Sequence, residues 1–182
     1  MSDLRLAVVS VVGKGGSGRT TLLEGVITAL SDRGWRVATA KHHAHDTDID
    51  VPGKDTWRHE RAGAVVTMVS APNRLGVIRR VDRERTLGEL ADIAHGQGVD
   101  IVLTEGFRRT SPVLVEVVRA ARSTEPICSA EELFALVTDV PELAEWPVPV
   151  FGLHDAASLA DLIEERFLGG PAARAASQGG GR

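Results

Sequence analysis

Gly13-Lys14-Gly15-Gly16-Ser17-Gly18-Arg19-Thr20-Thr21 constrains this chain more than any other stretch. It follows the apolar run Leu6-Ala7-Val8-Val9-Ser10-Val11-Val12 and precedes Leu22, Leu23, Val26, Ile27 and Leu30 at helical spacing. A strand therefore turns into a helix there. Glycines in such a turn let the backbone curl with its N–H groups inward, and the helix behind adds the positive end of its dipole. The product is an anion cradle, read here as a phosphate-binding loop, with the Thr20 hydroxyl placed for Mg²⁺. Where the loop pattern calls for Lys, this chain has Arg19. Its planar, always protonated fork fills the narrow Lys slot less well, so nucleotide binding is expected to survive better than hydrolysis. Lys14, at the second loop position, is a source of replacement charge.

The 182 residues suit one domain with a sizeable core, placed at 1–168, and a short tail at 169–182 that lacks periodicity and packing residues. A 43 % hydrophobic and 25 % charged composition is ordinary for a globular protein, and a formal charge of -4 argues against non-specific nucleic-acid binding. The sequence has no bilayer-length apolar run and no signal-like start, so a cytoplasmic protein is expected. Cys128 is the only cysteine, which leaves neither an internal disulfide nor a thiolate zinc cage.

Along the chain, Gly34 is set to close the first helix, and residues 35–40 read as a second strand ending in the polar segment 41–50. Asp55 is placed to cap a short helix through Trp57 to about Ala62. Residues 65–69 and 75–78 read as a hairpin around Pro72-Asn73, and Thr86-Leu87-Gly88-Glu89 has the form of a capping box. Ile101-Val102-Leu103-Thr104 is apolar without alternation, as in a parallel sheet covered on both faces. Strands at 113–118, 135–138 and 148–151 follow, and Asp155 opens a last helix with Leu159, Leu162, Ile163 and Phe167 on one face. Helix and strand alternate almost throughout. The expected class is α/β, a P-loop NTPase fold with a mostly parallel central sheet and helices on both faces.

In an open α/β sheet, ligands meet the carboxyl ends of the strands, where loops from different strands converge. Three polar loops qualify: residues 13–21, the His/Asp segment 41–50, and Glu105-Gly106-Phe107-Arg108-Arg109. Glu105 stands where an acid would hold Mg²⁺ directly or through water. Asp100 also borders that strand, but at ~3.3 Å per residue it lies roughly 16 Å away, at the opposite edge. His42, His43, His45, Asp46, Asp48 and Asp50 invite a metal reading, yet their spacing matches no zinc cage, so contact of His42, His45 and Asp46 with phosphate, Mg²⁺ or a second substrate is the better fit.

Lys41-His42-x-x-His45-Asp46, then Asp50-x-Pro52-Gly53-Lys54-Asp55-Thr56-Trp57-Arg58, then Ala62-Gly63-Ala64 and Thr104-Glu105-Gly106-Phe107-Arg108 resemble the MobB family. These are the nucleotide-binding adaptors of molybdopterin guanine dinucleotide biosynthesis. The resemblance is close from about Leu4 to Arg119 and looser through residues 136–139 and 149–152. It implies a GTP-binding protein with Mg²⁺, weakly hydrolytic at most. It also implies a homodimer that assists a MobA-like guanylyltransferase attaching GMP to molybdopterin. Carried over by position, residues Gly13 to Thr21 hold the phosphates and Glu105 serves the metal with Thr20. His42, His45, Asp46, Lys54, Asp55 and Arg108 border the crevice. Two alternatives use the same loop: a small-molecule kinase, with the His/Asp segment placing an acceptor hydroxyl, and a partition-type ATPase switch, with Lys14 reaching across a dimer interface.

Overall fold

The computed structural model describes residues 4–43 and 48–170. Contacts divide the chain into two compact units, Met1–His42 with Thr86–Arg182, and His43–Arg85. The stretch read from the sequence as one domain thus contains an inserted unit with contacts of its own.

The larger unit is built on a six-stranded sheet. Its strands are β1 (Ala7–Val12), β2 (Val37–Lys41), β5 (Ile101–Glu105), β6 (Leu114–Val118), β7 (Leu133–Thr138) and β8 (Val150–Phe151). They run in the order β2-β5-β1-β6-β7-β8, every neighbouring pair parallel. β1 is central, with Val11 level with Glu105 and Lys41 level with Glu105 on the far side of β5.

Alternation along β1 and β5 explains how both sheet faces are filled, because successive side chains in a strand point to opposite sides. Val9, Val11, Ile101 and Leu103 join the core formed with helix α1 (Arg19–Asp32) and helix α4 (Ala156–Ile163). Val8 and Val102 pack on the other face against Leu87, Ala91 and Ala94 of helix α3 (Leu87–His95). The Thr86–Glu89 capping box is formed, with Thr86 Oγ1 accepting from Glu89 N at 3.2 Å. Gly34 closes α1 in the left-handed region, φ 82°, donating to Ser31 O at 2.7 Å.

One expectation needs correction here. Helix and strand do not alternate through the second half: β5, β6, β7 and β8 are joined by loops and single 3₁₀ turns. Those connections carry Pro112, Pro126, Pro141, Pro147 and Pro149, and proline breaks helical hydrogen bonding. Residues of the loops themselves, Cys128, Val140 and Leu143, cover that part of the sheet. Asp155 does hold the cap position of α4, but its carboxylate accepts from Gly152 N at 2.9 Å and makes no cap bond to the helix.

In the smaller unit, helix α2 (Asp55–Arg61) is followed by the antiparallel hairpin β3 (Val66–Ala71) and β4 (Arg74–Arg79), closed by Pro72-Asn73. Lys54, not Asp55, is the cap residue of α2, and Asp55 sits in its first turn, where an acid still favours the helix dipole. Arg61 stacks on the Trp57 ring at 4.9 Å. Of the hairpin's side chains Thr67 is buried, whereas Met68 and Leu75 are each 68 % exposed.

Candidate functional site

The glycine-rich loop leaves β1 at its carboxyl end and enters α1. Gly13, at φ 141°, lies so close to β6 that a Cβ would stand 2.4 Å from Val117 O. Gly16 and Gly18 are also left-handed, at φ 77° and 101°. Such dihedrals are open to glycine at little cost, so the sequence folds this way because those positions carry no side chain.

The backbone of the loop is receptive to an anion. Among the described residues, the only N–H from Gly15 to Thr21 with a backbone acceptor is that of Ser17, which reaches Lys14 O at 3.1 Å. The others include the unsatisfied first N–H groups of α1, where the dipole concentrates positive charge. Ser17 Oγ is buried and has no hydrogen-bond partner. A phosphate group fits this donor set.

Glu105 closes the other side of the site. Its side chain is 11 % exposed and forms ion pairs with Arg19 at 3.4 Å and Lys41 at 3.5 Å. Thr20 Oγ1 donates to Glu105 Oε2 at 2.9 Å. Thr20 and Glu105 are therefore adjacent, and their hard oxygen donors suit Mg²⁺. The strand end is fixed by Gly106 N donating to Val11 O and His42 N donating to Glu105 O, both at 3.0 Å. Phe107, at φ 59°, turns its ring against His42, 5.1 Å between centroids.

Lys54 and Asp55 belong to the inserted unit. His45 and Asp46 lie outside the described residues. Arg108, three residues past the end of β5, pairs with Glu132, just before β7, at 3.4 Å. Among the described residues no group of three His, Cys, Asp or Glu side chains is set to hold a metal ion.

Sequence reasoning missed the loop after β6. Arg122 Nε donates to Gly15 O at 2.9 Å, and Lys14 Nζ donates to Ser123 Oγ at 2.5 Å. This segment is tied at both ends: Ala120 N donates to Asp139 Oδ1 at 2.6 Å, and Ile127 N and Cys128 N donate to the buried Glu116 carboxylate at 2.6 and 2.9 Å. The available signal was topological, since the loop following a strand beside β1 must emerge next to the phosphate loop. Burial, reinforced by the Glu116 charge, pushes the Cys128 thiol up to about 11.

A parallel sheet centred on β1, a glycine loop of unsatisfied N–H groups running into α1, and an acid across from its Thr define a protein of the P-loop NTPase fold. The family model for molybdopterin guanine dinucleotide synthesis protein B matches residues 8–139, and the chain belongs to this MobB family. The molybdopterin-guanine dinucleotide biosynthesis adapter protein of Escherichia coli K12 is 32 % identical over 154 residues, covering 82 % of this chain and 87 % of that protein. The Haemophilus influenzae adapter protein is 29 % identical, covering 88 % and 89 %. Among solved structures, Bacillus subtilis MobB superposes with a TM-score of 0.70 at 25 % identity, over 89 % of this chain and 98 % of that one. The MobB homolog of Bacillus stearothermophilus gives 0.63 at 27 %, over 87 % and 95 %.

Proposed function

We propose that this protein is a GTP-binding adapter of molybdopterin guanine dinucleotide biosynthesis, working in the cytoplasm beside a MobA-like guanylyltransferase that performs the chemistry on the pterin. The observation that carries the reading is the anion-receptive loop facing the Thr20–Glu105 pair in a chain of the MobB family. The relatives' names supply the pathway and the word adapter.

Backbone N–H groups from Gly15 to Thr21, that of Ser17 excepted, would bind the phosphates, and the Thr20 hydroxyl and Glu105 carboxylate would hold Mg²⁺. When bound, the ion neutralises phosphate charge. Thr20 Oγ1 and Glu105 Oε2 lie 2.9 Å apart, so the two oxygens would be close enough to serve one Mg²⁺ ion. Arg19 stays beside Glu105, and this partition of its charge accounts for weak hydrolysis at most. Exposed apolar residues on both strands of the inserted hairpin, Met68, Val69, Leu75 and Val77, favour a homodimer. Lys14 is engaged by Ser123 of its own chain, which disfavours the partition-type ATPase reading.

The test is reconstitution. A MobA-type guanylyltransferase, molybdopterin, GTP and Mg²⁺ are combined with and without this protein, and molybdopterin guanine dinucleotide is quantified. A yield raised by the native protein and not by Glu105→Gln supports the reading. A yield indifferent to the native protein contradicts it.

A further inference from the structure

We propose that Arg122 is a positioning residue of the phosphate loop: by holding the Gly15 carbonyl it directs the Gly16 N–H at the phosphates of a bound nucleotide. The inference rests on the nucleotide-binding reading above and goes beyond it to a residue outside the loop motif.

The reason lies in the geometry of one peptide. In a planar trans unit the C=O of one residue and the N–H of the next point in opposite directions. No cis peptide occurs among the described residues. Arg122 Nε donates to Gly15 O at 2.9 Å, which fixes that oxygen toward the loop after β6. The Gly16 N–H is thereby turned away from that loop, and among the described residues it meets no backbone acceptor.

This peptide has particular need of an external hold. It is flanked by two glycines, for which left-handed and right-handed dihedrals cost about the same, so it is free to flip. A Cβ on Gly15 would meet nothing within 4 Å, so packing does not restrain it there either. At Gly16, φ 77°, a Cβ would lie 3.1 Å from Arg122 Nε, so the arginine sits directly against the peptide it orients.

The arginine is itself well placed to act as a fixed point. Arg122 N and Ser123 N donate to Arg119 O at 2.8 and 2.9 Å, forming a tight turn. Asp139 and Glu116 anchor the two flanks of that turn, and Ser123 holds Lys14. Among the described residues the Arg122 guanidinium makes no ion pair, and its hydrogen bond is the one to Gly15.

The test uses the full chain with ¹⁵N-glycine labelling, titrated with Mg·GTP and followed by calorimetry and by the Gly16 amide resonance. In the native protein the Gly16 proton moves downfield on binding, as expected of an N–H donating to an anion. Arg122→Ala is expected to bind Mg·GTP about tenfold or more weakly, the effect of losing one charge-assisted hydrogen bond, with the Gly16 shift diminished. Arg122→Lys, which keeps a cationic donor, is expected to restore part of both. A residue that only stabilised the fold would lower the melting temperature of Arg122→Ala while leaving the Gly16 shift at saturation intact. Native-like affinity and an unchanged Gly16 shift in Arg122→Ala overturn this inference alone. Absence of Mg·GTP binding by the native protein overturns the functional reading and this inference with it. Should Arg122→Ala not fold, Arg122→Gln, with a side chain too short to reach Gly15, is read by the same criteria.

Discussion

Thr20 Oγ1 donates a hydrogen bond to Glu105 Oε2 at 2.9 Å, joining the start of α1 to the end of β5. Glu105 also balances Arg19 and Lys41. Replacing it with Gln removes the charge that both cations face and a candidate Mg²⁺ ligand together. We expect Glu105→Gln to bind GTP with the same affinity in Mg²⁺ as in EDTA, whereas the native protein gains about 1–3 kcal/mol from the ion. Paired calorimetric titrations in the two buffers read the difference.

Gly13→Ala should fail for a different reason. The added methyl would meet Val117 O at 2.4 Å, at a φ of 141° that side chains rarely adopt. A destabilisation of about 2–4 kcal/mol is expected from overpacking and backbone strain combined. Urea denaturation of the variant against the native protein measures it.

Cys128 makes stability depend on alkaline pH. Burial, then the neighbouring Glu116 carboxylate, raises the thiol from its ordinary 9.0 to about 11. The unfolded chain loses this proton first, so the native state binds more protons between those values and stability falls as pH rises. The contribution is fully present below about pH 9 and is lost by about pH 11, on the order of 2 kcal/mol. Cys128→Ser in parallel denaturation series at pH 8 and about pH 10.5 should show a smaller drop than the native protein. The native thiol should also resist alkylation by iodoacetamide at neutral pH until the protein unfolds.

The hairpin of the inserted unit carries the expectation of a dimer. Met68→Asp with Leu75→Asp places charge at two positions that are each 68 % exposed, so the isolated fold should tolerate both changes. Sedimentation equilibrium is expected to give a dimer for the native protein and a monomer for the double variant. A native monomer would contradict the homodimer.

What could be read from the sequence was what local chemistry specifies. The glycine-rich turn from β1 into α1, the hairpin turn at Pro72-Asn73 and the Thr86–Glu89 capping box each depend on residues within a few positions of one another, and each formed. The position of Glu105 was legible because a strand's end fixes its place in a parallel sheet. The Arg122–Gly15 and Lys14–Ser123 contacts were not, since they join segments separated by 107 and 109 positions, and no periodicity encodes such a pairing. Glu116 was hidden for a related reason. A carboxylate inside an apolar run gives no sign that Ile127 N and Cys128 N will satisfy it. Helix and strand are expected to alternate almost throughout because parallel strands usually return through a helix. Here prolines and the packing of Cys128, Val140 and Leu143 substitute for one.

Binding of GTP by the loop at residues 13–21 is tested most directly by calorimetric titration of the native protein and of Arg19→Lys with GTP and with ATP, each with Mg²⁺. The native protein is expected to bind GTP at least tenfold more tightly than ATP, with Arg19→Lys binding GTP as well or better. Binding by Arg19→Lys alone, or by neither protein, would contradict a GTP-binding adapter and leave the loop a structural element of a scaffold.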